Sequence, residues 1–200
     1  MSPKMPDYAV FEEIYTHEYL WRIANLMLTE ANLSEKKAFY FLLSALLMYY
    51  MAFEAFINFS GYILFPAVWE NEKNYFKGKG DSIEAKISKL LEKLTDFDWQ
   101  KGKRPYQNIK KLKKFRDVVA HGKVKAYQYE ANSMDDGSHI RWEHDWDKFI
   151  SQKEVEIFMY DIKAFSQSLL ESMRKKSDHL HLNHDAFEGP LAFSTGQTKI

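Results

Sequence analysis

Apolar residues recur at helical spacing through most of this chain, and the pattern predicts five long helices. Asp7 is the expected N-cap of the first helix, which runs to about Ala31. The second helix is expected to start with Ser34 as its N-cap and to continue to Pro66, with a bend at the pair Ser60-Gly61. Its length, roughly 50 Å, is unusual for a globular domain.

The third and fourth helices are bounded by local signals. Asp81 is the expected N-cap of the third, Pro105 suits the first turn of the fourth, and Gly122 closes the fourth as the residue after its C-cap. The third helix has a core-facing stripe that consists of Ile83, Ile87, Leu90, Leu91 and Leu94.

The remaining C-terminal part combines a predicted hairpin, a last helix and a tail. Residues 123–147 contain two strand-like runs around an Asp136-Gly137 turn and predict a β-hairpin. Ser151 and Glu154 form a capping box for the last helix, and residues 178–200 show no clear period and are expected to be a tail. The apolar stripe of the last helix is Val155, Phe158, Ile162, Phe165, Leu169 and Met173.

The predicted fold class follows from these elements. It is an all-α bundle of about five helices with a small β-hairpin inserted between the fourth and fifth helices. Residues 1–177 are expected to form this domain, and residues 178–200 the tail.

The second helix is apolar enough to raise the question of a membrane span. Residues 38–53 are nearly all apolar, and the apolar run resumes after Glu54. A span needs roughly 20 such residues, and a glutamate and Asn58 near the middle of the run are costly in lipid. We therefore expect a buried central helix, or one shared with a partner subunit, and no membrane association.

Composition and charge narrow the function classes. The 200 residues carry 28 basic and 28 acidic side chains and no cysteine, which excludes disulfides, zinc–thiolate sites and thiol nucleophiles. The N-terminus has no basic leader followed by an apolar run, so no secretory signal is predicted and the expected location is the cytoplasm.

Basic residues are nevertheless concentrated in one segment. Between Lys101 and Lys125 there are ten of them, and Asp117 is the only acid. Such a local excess of positive charge attracts a polyanion, although a solvated helix face has the same composition. The basic residues are Lys101, Lys103, Arg104, Lys110, Lys111, Lys113, Lys114, Arg116, Lys123 and Lys125.

The end of this basic helix carries chemically active side chains. Asp117 and His121 lie four residues apart, so we expect them to hydrogen-bond, which would orient the imidazole and favour its protonated form. Arg116 lies about 140° round the helix from His121, so one regular helix does not aim both at one point. Either the last turn unwinds or a second copy of the chain supplies the complementary residue, and we favour a homodimer.

Arg116, Asp117 and His121, followed by Gly122, resemble the arginine–polar–x3–histidine motif of the HEPN superfamily, with aspartate where asparagine is more frequent. The long apolar helix with Glu54 and Asn58 one turn apart, and the order of the helices, are also similar to that family. The likeness spans about residues 10–175. It implies a helical bundle that dimerises and, in many members, a metal-independent endoribonuclease.

The resemblance assigns a role to each candidate residue. His121 would be the acid or base and Arg116 the phosphate and transition-state ligand, with Asp117 orienting the site. RNA, which alone has the required 2′-hydroxyl, is the expected substrate, and no cofactor is expected because no acidic cluster indicates a magnesium site. The backbone-binding residues would be Lys110, Lys113, Lys114 and Lys123, with Glu54 and Asn58 in support.

Two other classes of protein remain open. One is a non-catalytic HEPN-like module that binds RNA, a nucleotide or a protein, and the other is a structural helical protein. If it is an enzyme, a toxin or defence effector with an antitoxin or regulatory partner is plausible. The RNA target and the host process are not encoded in any motif.

The tail carries a separate chemical signal. His179, His181 and His184 lie between Asp178 and Asp185, at spacings that can bind a metal ion. A closed metal site needs a defined scaffold, and none is expected in an unstructured tail. We therefore predict no metal site.

Overall fold

The computed structural model of the protein describes residues 8–79, 82–122 and 147–199. The described part is an all-α bundle, as predicted, and its five longer helices correspond to the five expected ones. The elements are β1 (Tyr8–Ile14), α1 (Thr16–Leu33), α2 (Ala38–Leu64), α3 (Pro66–Trp69), α4 (Glu72–Tyr75), α5 (Ser82–Leu91), α6 (Tyr106–Ala120), α7 (Gln152–Arg174) and β2 (Ala192–Lys199), with 3-10 turns at Glu35–Lys37, Asp147–Phe149 and Leu180–Asn183.

Helix α2 is apolar on most sides because it is the centre of the bundle. It packs against α1, α5, α6 and α7, and its large side chains fill the core. Within the described residues, the stretch Glu35–Leu64 is long and apolar enough to cross a membrane, but half of its most apolar part is buried inside the protein. The central helix of a soluble bundle has these same properties.

The prediction of the first helix is wrong over about its N-terminal third. Residues Tyr8–Ile14 form β1, and α1 begins only at Thr16; the expected cap Asp7 lies outside the described residues. Strand β1 pairs antiparallel with β2, with a register shift after Phe11. The partner strand comes from the other end of the chain, so the local pattern did not reveal it.

Residues 178–199 differ from the expected tail: the part up to Phe187 packs onto the bundle, and β2 pairs with β1. Leu182 and Phe187 are part of the hydrophobic core, and the Phe187 ring stacks on Trp21 with the centroids 4.2 Å apart. Arg174 at the end of α7 donates hydrogen bonds to the carbonyls of Leu182, at 2.5 Å, and His184, at 2.8 Å. The apolar contacts are too few and too irregularly spaced to show a period in the sequence.

Two predicted helix signals are confirmed, and a third, Ser34 as the N-cap of the second helix, is wrong because α2 begins at Ala38 with Lys37 as its N-cap. The Ser151 hydroxyl accepts a hydrogen bond from the Glu154 N–H at 3.2 Å, and the apolar stripe of α7 is buried. Helix α6 ends at Ala120, two residues before Gly122. The predicted hairpin at 123–147 lies outside the described residues, apart from Asp147 in a 3-10 turn, as does the expected cap Asp81.

Candidate functional site

Arg116 on α6 is held against the central helix. Its Nη2 lies 2.7 Å from Glu54 Oε1, its Nη1 lies 2.9 Å from Asp117 Oδ1, and its guanidinium carbon lies 4.9 Å from the centroid of the Tyr50 ring. Burial alone would lower the pKa of Arg116, but Glu54, Tyr50 and Asp117 raise it above its ordinary value. The guanidinium is therefore charged and fixed in orientation.

Asp117 contacts cations and not the imidazole. Its Oδ2 lies 2.8 Å from Lys113 Nζ, and its other oxygen binds Arg116. The expected side-chain hydrogen bond to His121 is not formed; the two residues are joined through the His121 N–H and the Asp117 carbonyl, at 3.0 Å. The reason is that His121 is the C-cap of α6 with a non-helical φ of −115°, which turns its side chain away from the helical direction.

His121 is exposed at the end of α6. Lys114, Val118 and His121, three or four residues apart, are all exposed, and they form a strip that we call the α6 outer strip. The His121 side chain makes no hydrogen bond or ion pair with any residue in the described ranges. Within one chain, Arg116 thus faces α2 while His121 is free to meet a ligand.

Much of the basic segment is neutralised by acids from other elements. Glu84 on α5 binds Lys110 at 3.0 Å and Lys101 at 3.4 Å, and Asp161 on α7 binds Arg104 through two guanidinium nitrogens. Burial raises the pKa of Glu84, but its two lysines outweigh that effect and hold the pKa below its usual range. The positive field is consequently weaker than the sequence indicates.

The four proposed RNA-binding lysines therefore differ in their surroundings. Lys110 and Lys113 are engaged in ion pairs, and Lys114 is exposed and makes no ion pair among the described residues. Lys123 lies outside the described residues.

Of the two supporting residues on α2, one contacts the site. Glu54 binds Arg116, whereas the Asn58 Oδ1 accepts a hydrogen bond from Lys86 at 2.8 Å. Tyr50, whose ring faces the same guanidinium, was not predicted as a site residue from the sequence. Its position four residues before Glu54, on the same side of α2, was the available signal.

Comparison of the chain with protein-family models, with curated proteins and with solved structures found no match. The resemblance to HEPN proteins therefore rests on the sequence motif, the long apolar helix with Glu54 and Asn58, and the order of the helices.

Proposed function

We propose that this protein is a metal-independent endoribonuclease of HEPN type, which acts in the cytoplasm as a homodimer with a composite active site. The observation that carries the proposal is that one helix end carries both a fixed, charged guanidinium, Arg116, and an exposed imidazole, His121. A toxin or defence effector, with an antitoxin or regulatory partner, is the corresponding biological role.

The proposed chemistry uses the 2′-hydroxyl of RNA as the nucleophile. In each of the two sites, one His121 imidazole takes the 2′-hydroxyl proton, the 2′-oxygen attacks phosphorus, and the 5′-oxygen leaves with a proton from water; the imidazolium then returns its proton to the solvent. Arg116 binds the phosphorane oxygens through its planar fork. Asp117 and Glu54 hold Arg116 in position. The products are a 2′,3′-cyclic phosphate and a 5′-hydroxyl.

The test compares His121→Ala with the wild type on single-stranded RNA without added divalent ions. We expect the variant to lose at least about 100-fold in kcat, because general acid–base catalysis contributes that much, while RNA affinity stays within about twofold. A 2′-deoxy substitution at the cleaved position should block the wild type. His184→Ala, a change at another exposed histidine, is the matched control and should cleave normally.

A non-catalytic binding module is the second candidate, and one observation favours it. Both terminal nitrogens of Arg116 already bind carboxylates within the chain, an arrangement that also suits a purely structural ion pair. This candidate predicts no cleavage by the wild type and RNA binding with a steep salt dependence. A structural protein would show neither.

A further inference from the structure

Three metal-ligating side chains from the two ends of the chain meet inside the protein. His17 and Glu18 lie in the first turn of α1, and His181 comes from the 3-10 turn Leu180–Asn183. They are 2%, 1% and 4% exposed, respectively. This group, which we call the buried triad, plays no part in the ribonuclease proposal.

The distances within the buried triad match a coordination shell. Glu18 Oε1 lies 3.3 Å from His181 Nε2 and 3.6 Å from His17 Nε2, and one ligand atom from each residue lies within 4.8 Å of the others. Bonds of about 2.0–2.1 Å to a tetrahedral ion place two ligand atoms about 3.3–3.4 Å apart. The distance from each histidine nitrogen to the carboxylate oxygen is therefore close to the distance between two ligand atoms bound to one ion.

The carboxylate of the buried triad is only partly satisfied by the residues that the structure describes. Glu18 Oε1 accepts a hydrogen bond from the Gly189 N–H at 3.0 Å, but Glu18 Oε2 is buried and has no hydrogen-bond partner among those residues.

No arginine or lysine in the described ranges pairs with the Glu18 carboxylate; its ionic contacts are with the two histidines. The nearby Arg22 instead donates to the Gly189 carbonyl at 3.0 Å. Burying a carboxylate without a cation is unfavourable. A bound dication would neutralise it.

The surroundings hold the buried triad in place. The Tyr15 ring stacks on His181 with centroids 3.7 Å apart, and a Cβ at Gly189 would lie 2.4 Å from His181 Cε1, so only glycine allows this approach. A cavity of about 540 Å³ is lined by Tyr15, His17 and Phe59 among others, so one residue of the triad borders an open space.

We propose that His17, Glu18 and His181 bind one divalent first-row transition-metal ion, with Zn²⁺ as the experimental probe. Two imidazoles and one carboxylate favour such an ion over Mg²⁺ or Ca²⁺, which prefer all-oxygen shells. The ion would join the C-terminal segment to α1, and its role is therefore to stabilise the fold and not to take part in RNA cleavage.

The test uses the full-length protein after treatment with a chelator and dialysis. Titration with Zn²⁺ against a chromophoric chelator should give about one equivalent per chain, and Zn²⁺ should raise Tm by several °C while Mg²⁺ does not. The isosteric variant Glu18→Gln should lose affinity at least about 100-fold. His179→Ala and His184→Ala, which change the neighbouring histidines outside the triad, should bind Zn²⁺ like the wild type.

X-ray absorption of the Zn²⁺-loaded wild type keeps the proposal testable if Glu18→Gln fails to fold. Two imidazoles in the first shell would support the buried triad. The proposal is overturned if the wild type binds less than about 0.1 equivalents, if Glu18→Gln binds equally well, if His179→Ala or His184→Ala abolishes binding, or if fewer than two imidazoles are seen. None of these readouts involves RNA, so failure here leaves the proposed function unaffected.

Discussion

Glu54 determines where the Arg116 guanidinium lies, because it supplies the carboxylate that draws this arginine from α6 towards α2. We predict that Glu54→Gln, which removes the charge and keeps the shape, lowers kcat for RNA cleavage about tenfold with little change in KM. The reason is that Arg116, the proposed phosphate ligand, loses its fixed orientation. Both side chains are about a quarter to a third exposed, so the free energy of unfolding should fall by only about 0.5–1 kcal/mol. Cleavage kinetics and urea unfolding measure the two effects.

Glu92→Gln is the matched control for this prediction. Glu92 forms an exposed ion pair with Lys89 at 2.6 Å, so the same chemical change is made away from the site. Cleavage by Glu92→Gln should equal that of the wild type. If Glu54→Gln also cleaves at the wild-type rate, Glu54 has no positioning role.

At the scale of single residues, the spacing in the sequence identified the motif but not all of its contacts. The 3.6-residue period correctly placed Arg116 at the border of the core face. The same period predicted an Asp117–His121 hydrogen bond that is absent, because α6 ends one residue before His121. Helix ends are where a periodic argument fails, since the side-chain direction there depends on the capping residue's own backbone angles.

At the scale of elements, α5 neutralises part of the basic surface of α6. Glu84 binds Lys101 and Lys110, and we predict that Glu84→Gln frees both lysines and tightens single-stranded RNA binding severalfold at low salt. The slope of log K against log salt should become steeper by about 0.7 for each additional phosphate contact. Binding titrations at several salt concentrations measure this slope.

The same variant has a predicted pH signature. Because the pKa of Glu84 is depressed in the folded protein, its ion pairs stabilise the fold above the ordinary glutamate pKa of about 4.3, and this stabilisation is lost as the pH falls through the depressed pKa. Wild type and Glu84→Gln should therefore differ in stability at pH 7 and converge once the pH lies below that depressed pKa. Glu188→Gln, which breaks the exposed pair with Lys163, is the control and should leave RNA binding unchanged. An unaltered salt slope in Glu84→Gln would exclude Lys101 and Lys110 from the RNA surface.

The elements also show which features a sequence can reveal. The five long helices were predicted because each has its own period, and α7 also has the local cap formed by Ser151 and Glu154. Strand β1 was not, because its hydrogen bonds go to β2 at the other end of the chain. The charge excess of α6 was overestimated for the same reason, since its counter-ions lie on α5 and α7. Long-range pairing leaves no local pattern.

At the scale of the whole molecule, the two ends of the chain close the bundle together. Phe187 from the C-terminal segment covers Trp21 on α1, β2 pairs with β1, and His181 joins the start of α1. The bundle core is therefore completed by residues that are remote in sequence. These residues were predicted to form a tail because they are held by contacts with distant parts of the chain, and such contacts leave no periodic spacing in the sequence.

The proposed composite site makes a prediction about the dimer that mixing experiments test. Arg116→Ala and His121→Ala should each be inactive alone. If each site combines Arg116 of one chain with His121 of the other, a mixed dimer contains one intact site. Random exchange of chains makes half of the dimers mixed, and one of the two sites in each mixed dimer is intact. An equimolar mixture should therefore recover about a quarter of the wild-type activity.

The α6 outer strip provides the control for this experiment. Val118 lies beside Lys114 and His121 and is 45% exposed. Its apolar side chain would be covered by a twofold contact between copies of this helix. Val118→Arg should yield monomers by light scattering and abolish recovery in the mixture, whereas Leu180→Arg, at an exposed position on another element, should do neither. Because Val118 is outside the core, unfolding of the variant should resemble that of the wild type.

A mixture that stays inactive although both variants dimerise would place the arginine and the histidine in separate sites, and the composite mechanism would then fail.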